Sequence, residues 1–288
     1  MKGFFRSQSP ARLTALGFAV LILAGSVLLI LPCSVKNGAE LKYIDALYTS
    51  TSAVCVTGLI SVDAGDTFTP LGQFFLALLI QAGGLGVTSI GAGVILAMGK
   101  KIDLKGRSLI REASNLNSDR GVIRFLKSVL LTTLIFELTG AVLSFPVFVR
   151  DYSLLKAAGI SLFHSVAAFN NSGFDILGNY RNLIPYRDSA ALNLVTCGLI
   201  FFGGIGFLVI QEMCKYKFRF KKYSMHSKVV ISVSIVLIVA GTVLLKLTEN
   251  ISVWCSAHCF TVCPQERRAF RHIRSANFPT RELPCSRF

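Results

Sequence analysis

Two short polar strips in an otherwise apolar chain have the composition of a cation site built from backbone carbonyls. They read CVTGL (Cys55–Leu59, the first strip) and NNSGF (Asn170–Phe174, the second strip), and each ends an apolar stretch too short and too polar to cross a bilayer. A half-helix that unwinds at such a strip presents carbonyls and the negative end of its dipole, which favour a cation over an anion. Glycine lets carbonyls turn toward one axis, and Thr57, Asn171 and Ser172 add side-chain oxygens.

The two strips belong to an internal repeat. ALYTSTSAVCVTGL aligns without gaps on SLFHSVAAFNNSGF, and an apolar run with a Gly-Gly-apolar-Gly motif follows each strip, at Gly83–Gly86 and at Gly203–Gly206. The runs Leu21–Leu31 and Leu237–Leu247 are identical at eight of eleven positions. The unit of span, short helix, strip and span therefore occurs twice, and a third copy begins. The alternative for each strip is an ordinary extracellular loop that ends in a glycine turn. Two such strips in register favour the cation site over that alternative.

The composition indicates that a lipid bilayer surrounds much of the chain. Hydrophobic residues make up 52% of the 288 residues, and the mean hydropathy is +0.60. The predicted fold is an all-α polytopic membrane protein with re-entrant pore loops. Basic residues precede the first run as in a signal peptide, but its length and Pro32 favour a retained helix. Five runs are long enough to span: Leu13–Pro32, Pro70–Met98, Ser128–Phe148, Ser189–Ile210 and Lys228–Leu247.

The net charge of +15 follows the predicted topology. Lys and Arg cluster before the first run and in the loops 100–127 and 214–227. This positive-inside pattern predicts a multi-pass protein of the cell membrane with a cytoplasmic N-terminus. Basic loops that face anionic lipid explain the charge better than nucleic acid does, so membrane lipid is the expected partner.

The predicted organisation is a series of pore repeats joined by basic loops. The segments are a first pore repeat (1–99), a basic loop (100–127), a second pore repeat (128–213), a second basic loop (214–227), the first span of a third repeat (228–254) and a tail (255–288). The sequence has no P-loop, catalytic triad, disulfide framework or zinc-ligand spacing. We therefore expect a protein that is not an enzyme and has no resident cofactor or metal.

Four acidic residues are further candidates. Asp63, Asp66 and Asp175 follow the strips and are predicted to face outside, either raising the cation concentration at the mouth or being solvated loop charges. Glu137 lies inside the third apolar run. It either faces the pore or a basic partner, or it hydrogen-bonds a neighbouring helix or snorkels.

The strips and the glycine-rich helices resemble the Trk/Ktr/HKT superfamily of potassium and sodium translocating subunits, most of all the bacterial Ktr-type membrane subunit. The resemblance rests on TSAVCVTGL and AAFNNSGFDILGNY and covers roughly residues 13–254. It implies four repeats around one pore, K⁺ uptake with Na⁺ as a coupling or regulatory ion, a homodimer of pore subunits and a cytosolic nucleotide-binding regulatory subunit. It also places pore-facing filter carbonyls at Val54, Cys55, Val56, Thr57, Gly58, Asn170, Asn171, Ser172 and Gly173.

The chain departs from that family pattern after the second repeat. It has two complete repeats instead of four, and the broken helix of a third repeat that gates the family is missing. After Trp254 the apolar runs give way to Cys, His and Arg. Read one base out of frame, this region permits LFHSVSARTAGF, which begins like Leu162–Val166 and ends like the family's third filter. We therefore predict that residues 255–288 are translated out of frame.

The expected function is K⁺ uptake through a carbonyl-lined filter, as the pore subunit of a Ktr/Trk-type system. The alternative is a non-transporting, truncated fragment with at most an assembly role. A secondary transporter with broken helices also predicts polar breaks at mid-membrane, but it does not predict the same strip in the same place twice.

Overall fold

The computed structural model describes residues 10–86, 89–92, 110, 121–216 and 219–248, and the regular structure in these ranges is helical apart from an isolated Val35–Phe68 bridge. The prediction of an all-α polytopic membrane protein is confirmed. Two 3₁₀ turns, Ile184–Tyr186 and Phe220–Lys222, lie between helices. The helices are α1 (Pro10–Ile30), α2 (Tyr43–Val54), α3 (Ala64–Thr67), α4 (Pro70–Gly84), α5 (Val122–Phe148), α6 (Leu154–Phe169), α7 (Ala190–Gly204), α8 (Phe207–Tyr216) and α9 (Met225–Thr248).

The helices repeat the same packing twice. In the first repeat α1 packs along the short helix α2, and in the second repeat α5 packs along α6. One serine fixes each pair: Ser50 Oγ donates to the Ile22 carbonyl (2.7 Å), and Ser165 Oγ donates to the Glu137 carbonyl (2.6 Å). A glycine on the first helix of each pair makes room for that serine. The two short helices therefore hold equivalent places in their repeats.

Several helices are suited to a bilayer. Arg12–Ile30, Val122–Phe148 and Met225–Leu244 are long and apolar enough to cross one. α7 and α8 together could form a fourth, broken span, because the chain bends by 104° between them. The predicted runs Pro70–Met98 and Ser189–Ile210 are both interrupted.

Glycine explains these interruptions. Gly86 follows the end of α4 with a φ of +83°, and Gly206 follows the end of α7 with a φ of +87°. A left-handed residue ends a helix, and glycine adopts it without a steric penalty. The hydropathy does not fall at these positions, so the sequence predicted each run without a break.

A shared apolar core joins the two repeats. Phe68 and Leu76 from the first repeat and Phe148 and Phe163 from the second are buried in one cluster. Many leucines and valines on α1, α5 and α9 instead point outward and are exposed, which is the expected surface against lipid. The core fixes the repeats against each other, and with them the two short helices that carry the strips.

Candidate functional site

The backbone φ angle alternates in sign along both strips. The φ angles are +53° at Val56 and +67° at Gly58 in the first strip, and +56° at Asn171 and +71° at Gly173 in the second. The residues before and between these positions have negative φ. The same pattern thus occurs at positions 115 residues apart.

The N–H groups of each strip face the short helix that precedes it. In such an alternating backbone the N–H groups lie along one edge, and the carbonyls therefore lie along the opposite edge. Four hydrogen bonds join strip N–H groups to the last turn of the preceding helix: Val56 to Ala53 (3.3 Å), Thr57 to Ser52 (2.9 Å), Asn171 to Ala168 (3.1 Å) and Ser172 to Ala167 (2.9 Å). The N–H edge of each strip is therefore occupied by its own helix.

The strips meet each other at their glycines. A Cβ added to Gly58 would lie 2.7 Å from the Ser172 carbonyl oxygen and 3.4 Å from the Gly173 Cα. A Cβ added to Gly173 would in turn lie 3.4 Å from the Gly58 Cα. A side chain at Gly58 would therefore displace the second strip.

The glycine pair of each second span packs against the end of a short helix. A Cβ on Gly83 would overlap the Val54 carbonyl oxygen, and a Cβ on Gly203 would overlap the Phe169 carbonyl oxygen. Val54 and Phe169 are the last residues of α2 and α6. The Val54 carbonyl, predicted as a filter group, is thus in contact with α4.

Side chains hold the first strip from within its own repeat. Ser52 Oγ accepts hydrogen bonds from the Thr57 hydroxyl (2.9 Å) and from the Leu59 N–H (2.8 Å). Ser52 is almost fully buried, whereas Thr57 and Cys55 are exposed. The serine therefore stabilises the strip from behind.

The second strip is held by side chains from other helices. Asn170 Nδ2 donates to Gln81 Oε1 at 2.8 Å and lies 3.3 Å from Glu137 Oε1. Glu137 is buried, and its carboxyl group lies against the beginning of the second strip. Of the alternatives open for this residue, the structure places it in a hydrogen bond to a neighbouring helix.

The predicted mouth aspartates bind the two repeats together. Asp63 Oδ1 accepts from the Gly65 and Asp66 N–H groups (2.7 and 3.0 Å) and so caps α3. Asp63 Oδ2 and Asp66 Oδ2 accept from the N–H groups of Tyr180 (2.5 Å) and Asn179 (2.7 Å), beyond the second strip. Asp63 is 8% exposed, so its carboxylate is a structural group at least as much as a surface charge.

Asp175 directly follows the second strip and takes no part in this clamp. It is partly buried, and its Oδ1 accepts from the Leu177 N–H at 3.0 Å. Burial raises the pKa of Asp175 to about 6, and the negative charges of Asp63 and Asp66 add to the rise. Its charge therefore changes in a mildly acidic range.

A small cavity of about 20 Å³ separates the second strip from α7. His164 and Thr196 line it, and His164 Nε2 lies 2.9 Å from the Thr196 hydroxyl oxygen. The hydroxyl itself donates to the Leu192 carbonyl, so the imidazole is the donor in their contact. The cavity has room for about one water molecule.

Sequence reasoning missed three features of the site. It did not identify Gln81, because a glutamine in an apolar run carries no signal for a partner 89 residues away. It did not predict left-handed backbone at Val56, a β-branched residue for which that conformation is rare. The clamp from Asp63 and Asp66 was missed because it depends on the tertiary fold. The positive φ at Val56 could have been inferred from the alignment of the strips, which pairs Val56 with Asn171.

These elements define an all-α, multi-pass membrane protein in which each repeat carries a short helix and a strip. Residues 6–275 match the family described as TrkH, cation transport protein. The chain belongs to this family. The resemblance inferred from the strips is confirmed, and the family is one of cation transport proteins and not of enzymes.

Curated relatives in bacteria support the same assignment. The chain is 39% identical over 242 residues to the potassium/sodium uptake protein NtpJ of Enterococcus hirae, covering 84% of the chain and 53% of the relative. It is 39% identical over 246 residues to the Ktr system potassium uptake protein B of Bacillus subtilis, covering 85% and 52%. Its identity to the Ktr protein B of Vibrio alginolyticus is 32% over 240 residues, covering 83% and 52%. The chain thus spans about half the length of these relatives.

Proposed function

We propose that the chain is a pore subunit that passes K⁺ across the cell membrane through backbone carbonyls of the two strips. The observation that carries this proposal is the shared geometry: the φ angle alternates in sign along both strips, and the strips meet at Gly58 and Gly173. Rings of carbonyls that replace the water around an ion are the usual basis of cation selectivity. The names of the relatives, which specify potassium uptake, support K⁺ as the ion.

The carbonyl edges of the strips are the proposed contact surface for the ion. The carbonyls at Cys55–Gly58 and Asn170–Gly173 replace the hydration shell, and the N–H edges stay bound to α2 and α6. The C-terminal ends of these two helices add negative potential at the same place. Covalent chemistry has no part in this mechanism.

The remaining sequence expectations extend this proposal. We propose a cytoplasmic N-terminus, Na⁺ as a coupling or regulatory ion, a homodimer of pore subunits and a cytosolic nucleotide-binding regulatory subunit. Two relatives are described as parts of a Ktr system, which supports work with other components. Asp63, Asp66 and Asp175 lie on the outer side of the strips in this orientation.

A second candidate function is that of a non-transporting chain with at most an assembly role. The observation in its favour is that the described residues hold two strips, whereas the family resemblance implies four. Two strips form half of such a four-part ring, and their polar backbone would face lipid unless another chain covers it.

Growth of a bacterial strain without its own K⁺ uptake systems separates the two candidates. We expect the chain to restore growth at limiting K⁺ if it transports. A matched control carries Gly58→Ser and Gly173→Ser, which add side chains where the strips meet. Absence of growth despite confirmed membrane expression of the unaltered chain would support the non-transporting candidate.

A further inference from the structure

Three helices meet at the side chain of Asn170. Its Nδ2 lies 2.8 Å from Gln81 Oε1 on α4, 2.9 Å from the Val166 carbonyl on α6 and 3.3 Å from Glu137 Oε1 on α5. Gln81 comes from the first repeat, and the other groups come from the second. We call Gln81, Glu137 and Asn170 the seam network, because they join the repeats where the second strip begins.

The backbone of α4 also limits where Asn170 can go. A Cβ on Gly84 would lie 2.6 Å from the Asn170 Cγ and 2.8 Å from its Cβ. The asparagine therefore fits into the gap left by a missing side chain, one turn after Gln81. Its amide is confined by packing as well as by hydrogen bonds.

The first repeat has no equivalent of this network. Cys55 occupies the position of Asn170 and is exposed. Ile22 of the first repeat corresponds to Glu137, and Phe201 on α7 of the second repeat corresponds to Gln81; neither side chain can accept a hydrogen bond. The first strip instead depends on Ser52, for which the second repeat has Ala167. The two strips are thus stabilised by different means.

The presence of Glu137 in a spanning helix needs an explanation. A carboxyl group inside a membrane protein is costly, and an apolar residue at the same place would avoid that cost. The carboxyl oxygen offers what an apolar residue cannot, an acceptor for the Asn170 amide. Its neighbour on the same helix face, Thr133, is buried and has no hydrogen-bond partner among the residues that the structure describes, so its hydroxyl does not serve as the acceptor for Asn170.

We propose that Gln81 and Glu137 are positioning residues that set the ion path of the second strip by fixing Asn170. This inference rests on the proposed function. It extends that function by assigning ion selectivity partly to hydrogen bonds behind the second strip. Neither residue needs to touch the ion. Each acts through the Asn170 amide, so the essential property of residue 137 is an acceptor oxygen and not a negative charge.

Substitutions at residue 137 test this distinction in the full chain, purified in detergent and in reconstituted vesicles. Glu137→Leu removes the acceptor, whereas Glu137→Gln keeps one without the charge. The readouts are the K⁺ concentration for half-maximal uptake, the maximal rate, and the K⁺ and Na⁺ concentrations that half-maximally raise the thermal unfolding temperature. The control is Ser144→Ala on the same helix, because the hydrogen bonds of Ser144 within the described part of the chain go to carbonyls of α5.

We expect Glu137→Leu and Gln81→Leu to raise the half-maximal K⁺ concentration about three- to ten-fold, the range for loss of one hydrogen bond. The preference for K⁺ over Na⁺ should fall, and the maximal rate should change less than the half-maximal concentration. Glu137→Gln and Ser144→Ala should stay near the unaltered chain. If Glu137→Gln is as damaging as Glu137→Leu, the charge acts on the ion and the inference is overturned.

A double-mutant cycle separates failure of this inference from failure of the proposed function. If the unaltered chain shows no response to K⁺, the proposed function fails. The double-mutant cycle then still tests whether the seam network stabilises the fold. Gln81→Leu and Asn170→Leu are compared, singly and together, by thermal unfolding. We expect the double variant to lose clearly less than the sum of the single losses, since the two residues share one contact. Additive losses would show that the contact has no energetic role.

Discussion

Val56 and Asn171 hold a positive φ although neither is glycine. The left-handed conformation costs an ordinary residue about 1–2 kcal/mol, and a β-branched valine is a rare occupant. The contacts around Val56 must therefore retain it: its N–H is bonded to Ala53, and its side chain is buried. Such retained strain is common at binding sites, where it keeps a backbone in one shape.

A methyl group at Gly58 tests the meeting point of the strips. We expect Gly58→Ala to reduce discrimination between K⁺ and Na⁺ by roughly ten-fold, because the added Cβ meets the Ser172 carbonyl and strains a left-handed residue by about 1–2 kcal/mol. Competition between the two ions for uptake measures the effect. Gly38→Ala is the matched control, since Gly38 has a φ of +88° in open space. Equal effects of both substitutions would refute a special role for the meeting point.

Asp175 makes stability depend on pH in a defined direction. Its folded-state pKa of about 6 is above the ordinary value of 3.8, so the folded protein takes up a proton between these values. The resulting stability is fully present below pH 3.8 and is lost as the pH rises through about 6. We expect Asp175→Asn to raise the unfolding temperature at pH 7 by a few degrees and to have little effect near pH 4. Thermal scans across this range measure it, and an effect independent of pH would contradict it.

The helices that hold the strips in place pack very closely against one another. Gly83 and Gly203 let α4 and α7 contact the terminal carbonyls of α2 and α6, and the glycines three residues later end both helices. The motif Gly-Gly-apolar-Gly thus has two functions, a contact and a break. Both depend on the absence of a side chain.

Two glycines of α7 offer a matched comparison. Gly203→Ala should destabilise the protein by about 1–3 kcal/mol, because a Cβ there overlaps the Phe169 carbonyl. Gly198→Ala, in the same helix, places its Cβ in open space and should be neutral or stabilising by up to about 1 kcal/mol. Chemical or thermal unfolding of both variants measures the difference. Similar decreases in the free energy of unfolding for the two variants would mean that the close contact at Gly203 does not contribute to stability.

The sequence predicted the repeat and both strips because local patterns encode them: apolar length, small polar residues and glycine at a fixed offset. The breaks after α4 and α7 were not predicted, since Gly86 and Gly206 interrupt the backbone without lowering the hydropathy. The partners of Glu137 were not predicted either, because Asn170 and Gln81 reach it only through tertiary packing. Contacts between distant segments leave little trace in one sequence.

The described residues contain two strips, whereas the family resemblance implies four around one pore. The seam between the repeats is complete, with a shared core and the Asp63 and Asp66 clamp. The exposed Cys55 occupies, in the first strip, the place that Asn170 fills at the seam. A neighbouring repeat with a partner for this position would complete the ring on that side.

The tail at 255–288 lies outside the described residues, and its interpretation as out-of-frame translation stays a prediction from sequence. We expect sequencing of genomic DNA from the codon of Ser252 onward to restore SARTAGF, followed by a further repeat and a half. If the present frame is found again, the tail is a genuine part of the encoded chain, and transport must be assayed on this chain itself.

The seam network imposes an order on biosynthesis. Asn170 is synthesised 89 residues after Gln81, which at about 5–20 residues per second is a delay of roughly 4–18 s. The residues of α4 are therefore synthesised before those of the second strip, so Gln81 is in the chain before its partner Asn170. The first strip, which is supported by its own Ser52, does not have to wait for a later segment. Synthesis from the N-terminus thus matches the direction in which one repeat supports the next.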